Sequence, residues 1–142
     1  MTNQRKRVLI LCTGNSARSQ MAEGLLRSEA GKRFEVFSAG SIATFVRPQA
    51  IAAMKELGID ISTHRSKSLH EFIEEQFDYV ITVCDHAAQS CPVFPGDVKR
   101  IHWSIADPVL IGGDDETQLE AFRAARDDLK QRIKRFVADE TA

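Results

Sequence analysis

Cys12 and Arg18 stand six positions apart in Cys12-Thr13-Gly14-Asn15-Ser16-Ala17-Arg18-Ser19, a spacing of nucleophile and fixed cation that suits capture of a tetrahedral oxyanion. The apolar run Val8-Leu9-Ile10-Leu11 precedes this segment and a helical pattern follows it, so it is expected to join a strand to a helix. Such junctions bind anions. Successive peptide N–H groups of the loop turn inward as a nest, and the first turn of the helix adds unpaired donors and a positive dipole end. Thr13, Gly14, Asn15, Ser16, Ala17 and Arg18 are the expected lining. The same field, with an arginine alongside, favours the thiolate form of a cysteine, which makes Cys12 the expected nucleophile. Arg18 is suited to clamp two oxyanion oxygens through its planar fork, and Ser19 to donate a hydrogen bond to the thiolate. An isolated cysteine at a strand end is more often an inert small hydrophobe, but the glycine, asparagine, serines and arginine around Cys12 all fit an anion loop. The Gly-x4-Gly-Lys-Ser/Thr spacing is absent, so no nucleotide is implied.

Two further thiols, Cys84 and Cys91, enclose six residues, Asp85 to Ser90. They are open to three readings: unrelated cysteines, a zinc site with His86, or a redox relay. Structural zinc favours four ligands in close pairs, and no convincing fourth ligand is at hand. The relay is preferred, on condition that the segment between can move, because a disulfide needs Cα atoms within roughly 4.4 to 6.8 Å. Asp107, ahead of Pro108, reads either as a turn initiator or as a general acid that protonates a leaving oxygen above Cys12. His70 and His102 are expected to be surface or packing residues, and His86 has no assigned role.

The elements that must position these groups alternate between strand and helix patterns, as in parallel β-α-β units. The expected strands are Arg7 to Leu11, Phe34 to Ser38, Tyr79 to Val83 and Lys99 to Trp103. The first helix is expected from Ser19 to Ala30, stopped by Gly31. Ala39-Gly40-Ser41 reads as a turn. Pro48 opens a helix carried by Ala50 to Leu57, with Gly58 as its C-terminal cap. Ser68 to Glu71 and Thr117 to Glu120 read as capping boxes, the first before a short helix and the second before a long one. Cys84 to Gly96, with its prolines and polar residues, reads as a connecting segment. Leu119, Phe122, Leu129, Ile133 and Phe136 recur at helical spacing as a core stripe. The expected fold class is α/β, a single-domain three-layer sandwich with a four-stranded parallel sheet and helices on both faces. Ligands of such sheets bind beyond the carboxyl ends of the strands, where Cys12, Cys84 and Asp107 all fall.

The 142 residues suffice for one self-sufficient core, since chains near this length bury about 68 to 70% of their unfolded surface. One domain spanning 1–142 is expected. Nineteen basic against twenty acidic residues give a formal charge of -1, which argues against nucleic acid and membrane as partners. The basic start, Met1 to Arg7, is followed by an apolar run too short for a signal-peptide core or a membrane span. Three cysteines, an odd number, point to free thiols in a reducing, cytoplasmic setting.

Cys12-x5-Arg18-Ser19 with a late Asp107-Pro108 resembles the low-molecular-weight protein tyrosine phosphatases. Cys84-x6-Cys91, followed by Pro92 and by His102-Trp103, narrows the resemblance to the thioredoxin-coupled arsenate reductases built on that fold, from Val8 to the last helix. The resemblance implies a three-thiol relay that reduces arsenate to arsenite. Cys12 attacks arsenate held by the loop and Arg18, and Asp107 protonates the departing hydroxide. Cys84 then attacks Cys12 and releases arsenite, Cys91 attacks Cys84, and thioredoxin reduces the final disulfide. Phosphate or sulfate is expected to mimic arsenate, and no resident metal or cofactor is implied. Some relatives carry a further cysteine where this chain has Ala17, and some hold potassium with residues matching Asn15, Glu23 and Ser38 plus an aspartate. Lys67 occupies that fourth position, so its ammonium is expected to replace the cation. The main rival is a phosphatase acting on phosphate monoesters with Cys12, Arg18 and Asp107. A non-catalytic oxyanion sensor is the rival from another class, and the full set of acid and nucleophile weighs against it.

Overall fold

The computed structural model describes residues 5–141; of the basic start, Met1 to Gln4 lie outside them. Four strands, β1 (Lys6–Cys12), β2 (Phe34–Gly40), β3 (Tyr79–Thr82) and β4 (Lys99–His102), form one parallel sheet in the order β2-β1-β3-β4. Four α-helices, α1 (Arg18–Ala30), α2 (Pro48–Lys55), α3 (Asp85–Ser90) and α4 (Asp115–Thr141), cover it. The central strands read as continuous apolar runs because both sheet faces are covered: Val8 to Cys12 and Tyr79 to Thr82 are buried throughout.

The period-two alternation of the strands sorts their side chains between two layers. Phe34 and Tyr79 meet Phe136 of α4 at ring-centroid distances of 5.3 and 5.1 Å. Phe37, on the opposite face, packs with Phe72 and Phe77, and Phe77 in turn meets Phe94. On β4, Lys99 reaches Glu140 of α4, whereas Arg100 and His102 turn to the face that carries α3. The α4 stripe is as expected, with Phe122, Leu129, Ile133 and Phe136 buried and Leu119 partly so.

Gly58 caps α2 in the left-handed conformation, φ 75°. Its N–H bonds Lys55 O, and the N–H of Ile59 bonds Met54 O, the paired closure of a Schellman motif.

Several local expectations are corrected. Ala39 and Gly40 are not a turn but the last two residues of β2, paired with Leu11 and Cys12. Gly40 is required by contact instead: a Cβ there would sit 2.5 Å from Thr13 O and 2.7 Å from Asn15 N. The Ser68 hydroxyl accepts from His70 N, not from Glu71 N, and a three-residue 3₁₀ turn, Leu69–Glu71, replaces the expected helix. Glu71 is drawn away by a bidentate pairing with Arg65. The long helix is capped by Asp114, whose Oδ1 accepts from Thr117 N at 2.8 Å, so Thr117 lies inside the first turn. Finally, Asp85–Ser90 is a helix within the segment read as a connection. The prolines that suggested irregular chain, Pro92 and Pro95, both fall after it.

Candidate active site

The strand register brings the chemistry to one edge. Cys12 pairs with Gly40 and Leu11 with Thr82 at the carboxyl ends of β2, β1 and β3, and Cys84 follows two residues after β3. The chain leaves β1 toward β2 on one side and β3 lies on the other, which is the switch point where crevices open in such sheets.

The loop from Cys12 to Ala17 is held by its carbonyl groups. Cys12 O accepts from Ser41 N, Thr13 O from Ile42 N, Ser16 O from Arg47 N and Ala17 O from Met21 N. Gly14 O accepts from the hydroxyls of Thr44 and Ser66, and Asn15 O from Gln20 Nε2. Every carbonyl from Cys12 to Ala17 is thereby engaged. Asn15 makes the tight turn with φ 47°, a left-handed value that asparagine tolerates better than most side chains.

Asn15 is also the hub of a buried network. Its Oδ1 accepts from Lys67 N and Gln20 Nε2, both at 2.8 Å, while its Nδ2 donates to Ser19 Oγ at 2.8 Å and Ser38 Oγ at 3.0 Å. All four bonding positions of the amide are filled, and the Lys67 backbone donor fixes which end is oxygen. Ser19 Oγ, which accepts from Asn15 Nδ2, lies 2.7 Å from Cys12 Sγ and is the donor of that contact whenever the sulfur is a thiolate. Asn15 N adds a second donor to the sulfur at 3.2 Å. Cys12, Ser19, Asn15 and Ser38 are all buried.

Behind this network lies Glu23, whose carboxylate accepts from Ser38 Oγ at 2.5 Å and pairs with Arg27 at 2.6 Å. Lys67 Nζ stands 3.8 Å from Glu23 and donates to Arg65 O at 2.9 Å. Burial pushes the Lys67 ammonium below its ordinary value, and Glu23 opposes that. His64 donates from Nδ1 to Gln20 Oε1 and accepts at Nε2 from Arg27. Desolvation lowers its pKa, consistent with the neutral ring these bonds require.

On the open side, Arg18 donates to Ile105 O at 3.0 Å and its other terminal nitrogen lies 3.3 Å from Asp107 Oδ2. Asp107 Oδ1 accepts from Val109 N at the start of the Pro108–Leu110 turn. The structure thus places the expected acid on the expected clamp. Cys84 Sγ lies 3.4 Å from Thr13 Oγ1, beside Cys12, and also caps α3 by accepting from Ala87 N. Cys91 stands at the other end of α3, half-buried. All three cysteines are free. Among the described residues, no group of three or more His, Cys, Asp or Glu is gathered where it could hold a metal ion.

Sequence reasoning missed Gln20, which is fully buried and ties Asn15 to Arg65 and His64. It also missed His102, which bridges Thr82 Oγ1 and Asp85 Oδ1 at 2.8 and 2.9 Å. Alternation along β4 was the signal available for His102. Nothing in the local sequence signals Gln20 beyond a polar residue in the first turn after the loop.

Residues 7–141 match the family described as low molecular weight phosphotyrosine protein phosphatase. The chain belongs to this family. Among its curated relatives is the arsenate reductase of Halalkalibacterium halodurans, 45% identical over 132 residues, which are 93% of this chain and 95% of the relative. A solved arsenate reductase in the phosphate-binding state superposes with a TM-score of 0.74 at 33% identity, covering 94% of this chain and 98% of that one. The thioredoxin-dependent arsenate reductase of Corynebacterium glutamicum gives a TM-score of 0.76 at 29% identity and covers 98% of this chain and 63% of that one. In this phosphatase family, then, the chain sits with proteins named as arsenate reductases.

Proposed function

We propose that the chain reduces arsenate to arsenite through Cys12, Cys84 and Cys91, with a dithiol protein of the thioredoxin kind as final reductant. The observation that carries this reading is Cys12 held by Ser19 and Asn15 inside an anion loop, with Cys84 Sγ 3.4 Å from the neighbouring Thr13 hydroxyl. The Cys12 thiolate attacks arsenic, and a protonated Asp107 delivers its proton to the departing oxygen. Arg18 turns its fork from Ile105 O to the arsenate oxygens. Cys84 thiolate attacks Cys12 Sγ; the sulfur–arsenic electron pair goes to arsenic, which leaves as arsenite, and a Cys12–Cys84 disulfide remains. Cys91 thiolate attacks Cys84 Sγ and expels Cys12 as thiolate.

This last step needs α3 to unwind. Seven positions in a helix span about 10 Å, too far for a disulfide that needs Cα atoms within roughly 4.4 to 6.8 Å. Exposed Ile42, Phe45, Leu110 and Ile111 lie on loops after β2 and β4, at the same edge as the site, and offer apolar surface to a protein reductant. The chain acts as one domain, and its free thiols suit the cytoplasm. No helix of the described residues is long and apolar enough to cross a membrane.

Arsenate turnover with thioredoxin, thioredoxin reductase and NADPH tests the reading. Cys12→Ser, Cys84→Ser and Cys91→Ser each abolish multiple turnover, and Cys91→Ser still releases one arsenite per chain. Full turnover by Cys84→Ser would exclude the relay. The family's phosphatase chemistry is the second reading, favoured by the Arg18–Asp107 pairing. It requires neither Cys84 nor Cys91, so hydrolysis of an aryl phosphate that survives both substitutions, without arsenate reduction in wild type, would support it instead.

A further inference from the structure

Cys91 is the least prepared of the three thiols. It sits at the end of α3 and lines a pocket of about 150 Å³ with apolar Val80, Ala88 and Ile101, beside Arg100 and His102. Burial pushes its thiol above the ordinary value, which works against a nucleophile. One cation opposes that. Arg100 Nη1 donates to Cys91 Sγ at 3.3 Å, and Arg100 Nη2 donates to Pro92 O at 2.9 Å. The sulfur in turn donates to the same Pro92 O at 3.5 Å. A guanidinium thus holds both the reacting sulfur and the carbonyl that accepts from it. His102, the other titratable group on this pocket, is turned to Thr82 and Asp85.

We propose that Arg100 is a further catalytic residue, which stabilises the Cys91 thiolate that attacks Cys84 once α3 unwinds. The assignment rests on the three-thiol reading. When Cys91 loses its proton to solvent, its bond to Pro92 O is lost and the Arg100 N–H to sulfur contact becomes charge-assisted. The thiolate then attacks Cys84 Sγ, the Cys12–Cys84 bond breaks and Cys12 leaves as thiolate, so the step is a disulfide exchange with no net electron demand. Alternation along β4 is what directs Arg100 to this face, because Lys99 before it faces α4. Together Arg100 and His102 grip the two ends of α3 from one strand.

The test reads Cys91 without arsenate. In a Cys12→Ser/Cys84→Ser chain, where serine preserves the α3 cap, the pH dependence of Cys91 alkylation by iodoacetamide gives its titration midpoint. Arg100→Met moves that midpoint up by about one pH unit, the size expected for loss of an adjacent opposite charge, and Arg100→Lys restores most of it. In the three-cysteine chain, Arg100→Met still releases one arsenite per molecule but converts the Cys12–Cys84 disulfide to Cys84–Cys91 more slowly, with the same alkaline displacement. An unmoved midpoint, or an equal displacement in Arg100→Lys, overturns the assignment, as does loss of the single arsenite release in Arg100→Met alone. Failure of the wild-type chain to release arsenite sinks the reductase reading, while the alkylation midpoints still judge Arg100.

Discussion

At the scale of single residues, the site is governed by which lone pairs and protons are already committed. Ser19 already accepts from Asn15 Nδ2, and against a Cys12 thiolate, which has no proton to give, its hydrogen fills the 2.7 Å contact. Ser19→Ala is therefore expected to slow the first arsenite-releasing turnover by about ten- to a hundredfold, the worth of one hydrogen bond to a charged group, and to cost about 1 to 3 kcal/mol of stability because Asn15 Nδ2 loses a buried acceptor; rapid-quench measurement of arsenite and equilibrium unfolding check the two effects. Lys67 stands where the ammonium can serve Glu23 as a resident cation. Wild-type thermal stability should not depend on potassium over sodium, and Lys67→Asp, which sets a second carboxylate near Glu23, should acquire such dependence. Thermal melts in the two salts decide it: potassium-dependent stability in wild type that disappears in Lys67→Asp would refute the substitution of cation by ammonium. The nearness of Cys12 to Ser19 follows from their spacing along one loop, and that of Arg18 to Asp107 from two loops at the carboxyl ends of the sheet. The Asn15 hub was not legible in the sequence, since its partners Gln20, Ser38 and Lys67 come from three separate stretches of chain and a hydrogen-bonding network has no period. Arg100 was hidden for a similar reason, as a lone arginine on an edge strand looks like any solvated cation.

At the scale of elements, strands were easier to read than caps. Apolar runs announce buried strands through solvation alone, whereas Ser68 and Thr117 sit in sequences that satisfy a capping-box pattern, yet Ser68 accepts from His70 N instead of Glu71 N and Thr117 gives its place as cap to Asp114. Asp114 won the α4 cap because it precedes the turn, and Arg65 removed Glu71 from the alternative. α2 and α4 show how charged groups then join elements. Glu56, just past α2, receives Arg123 and Arg126 of α4, and Arg126 also donates to Ala53 O. The hydrogen bonds from Arg123 and Arg126 hold the Glu56 carboxyl down at about 2, against an ordinary 4.5. A folded-state value below the unfolded one stabilises above the unfolded value and is lost as pH falls through the folded one. Stability should thus decline between about pH 4.5 and 2, and Glu56→Gln should flatten part of that decline. Denaturant midpoints measured across this range provide the comparison; an unchanged slope would mean the pair contributes nothing to the acid response.

At the scale of the whole molecule, support and chemistry occupy opposite regions of one sheet. The core stripe of α4 packs under the strands, while Cys12, Cys84 and Asp107 gather at the carboxyl ends. Leu129 is fully buried, so Leu129→Ala should cost about 2 to 5 kcal/mol by equilibrium unfolding while leaving Cys12 alkylation in the folded state unchanged. A large change in Cys12 reactivity would show that core and loop are mechanically coupled. This division explains why the α/β class was legible from alternation alone and the site's general place from the strand ends. The helix between Cys84 and Cys91 escaped because six residues are too few for a periodic signal, and its cap is a sulfur, which sequence rules for caps do not weigh. That cap gives the proposed cycle its timing. While Cys84 is reduced, its sulfur anchors the first turn of α3 and keeps Cys91 at a distance; once the same atom is bonded to Cys12, it is a weaker acceptor and the anchor slackens. On the proposed relay, the product of the second step would thereby loosen one of the ties on α3, beside the His102–Asp85 bond at the same end, so that the third thiol's approach follows the second step rather than preceding it.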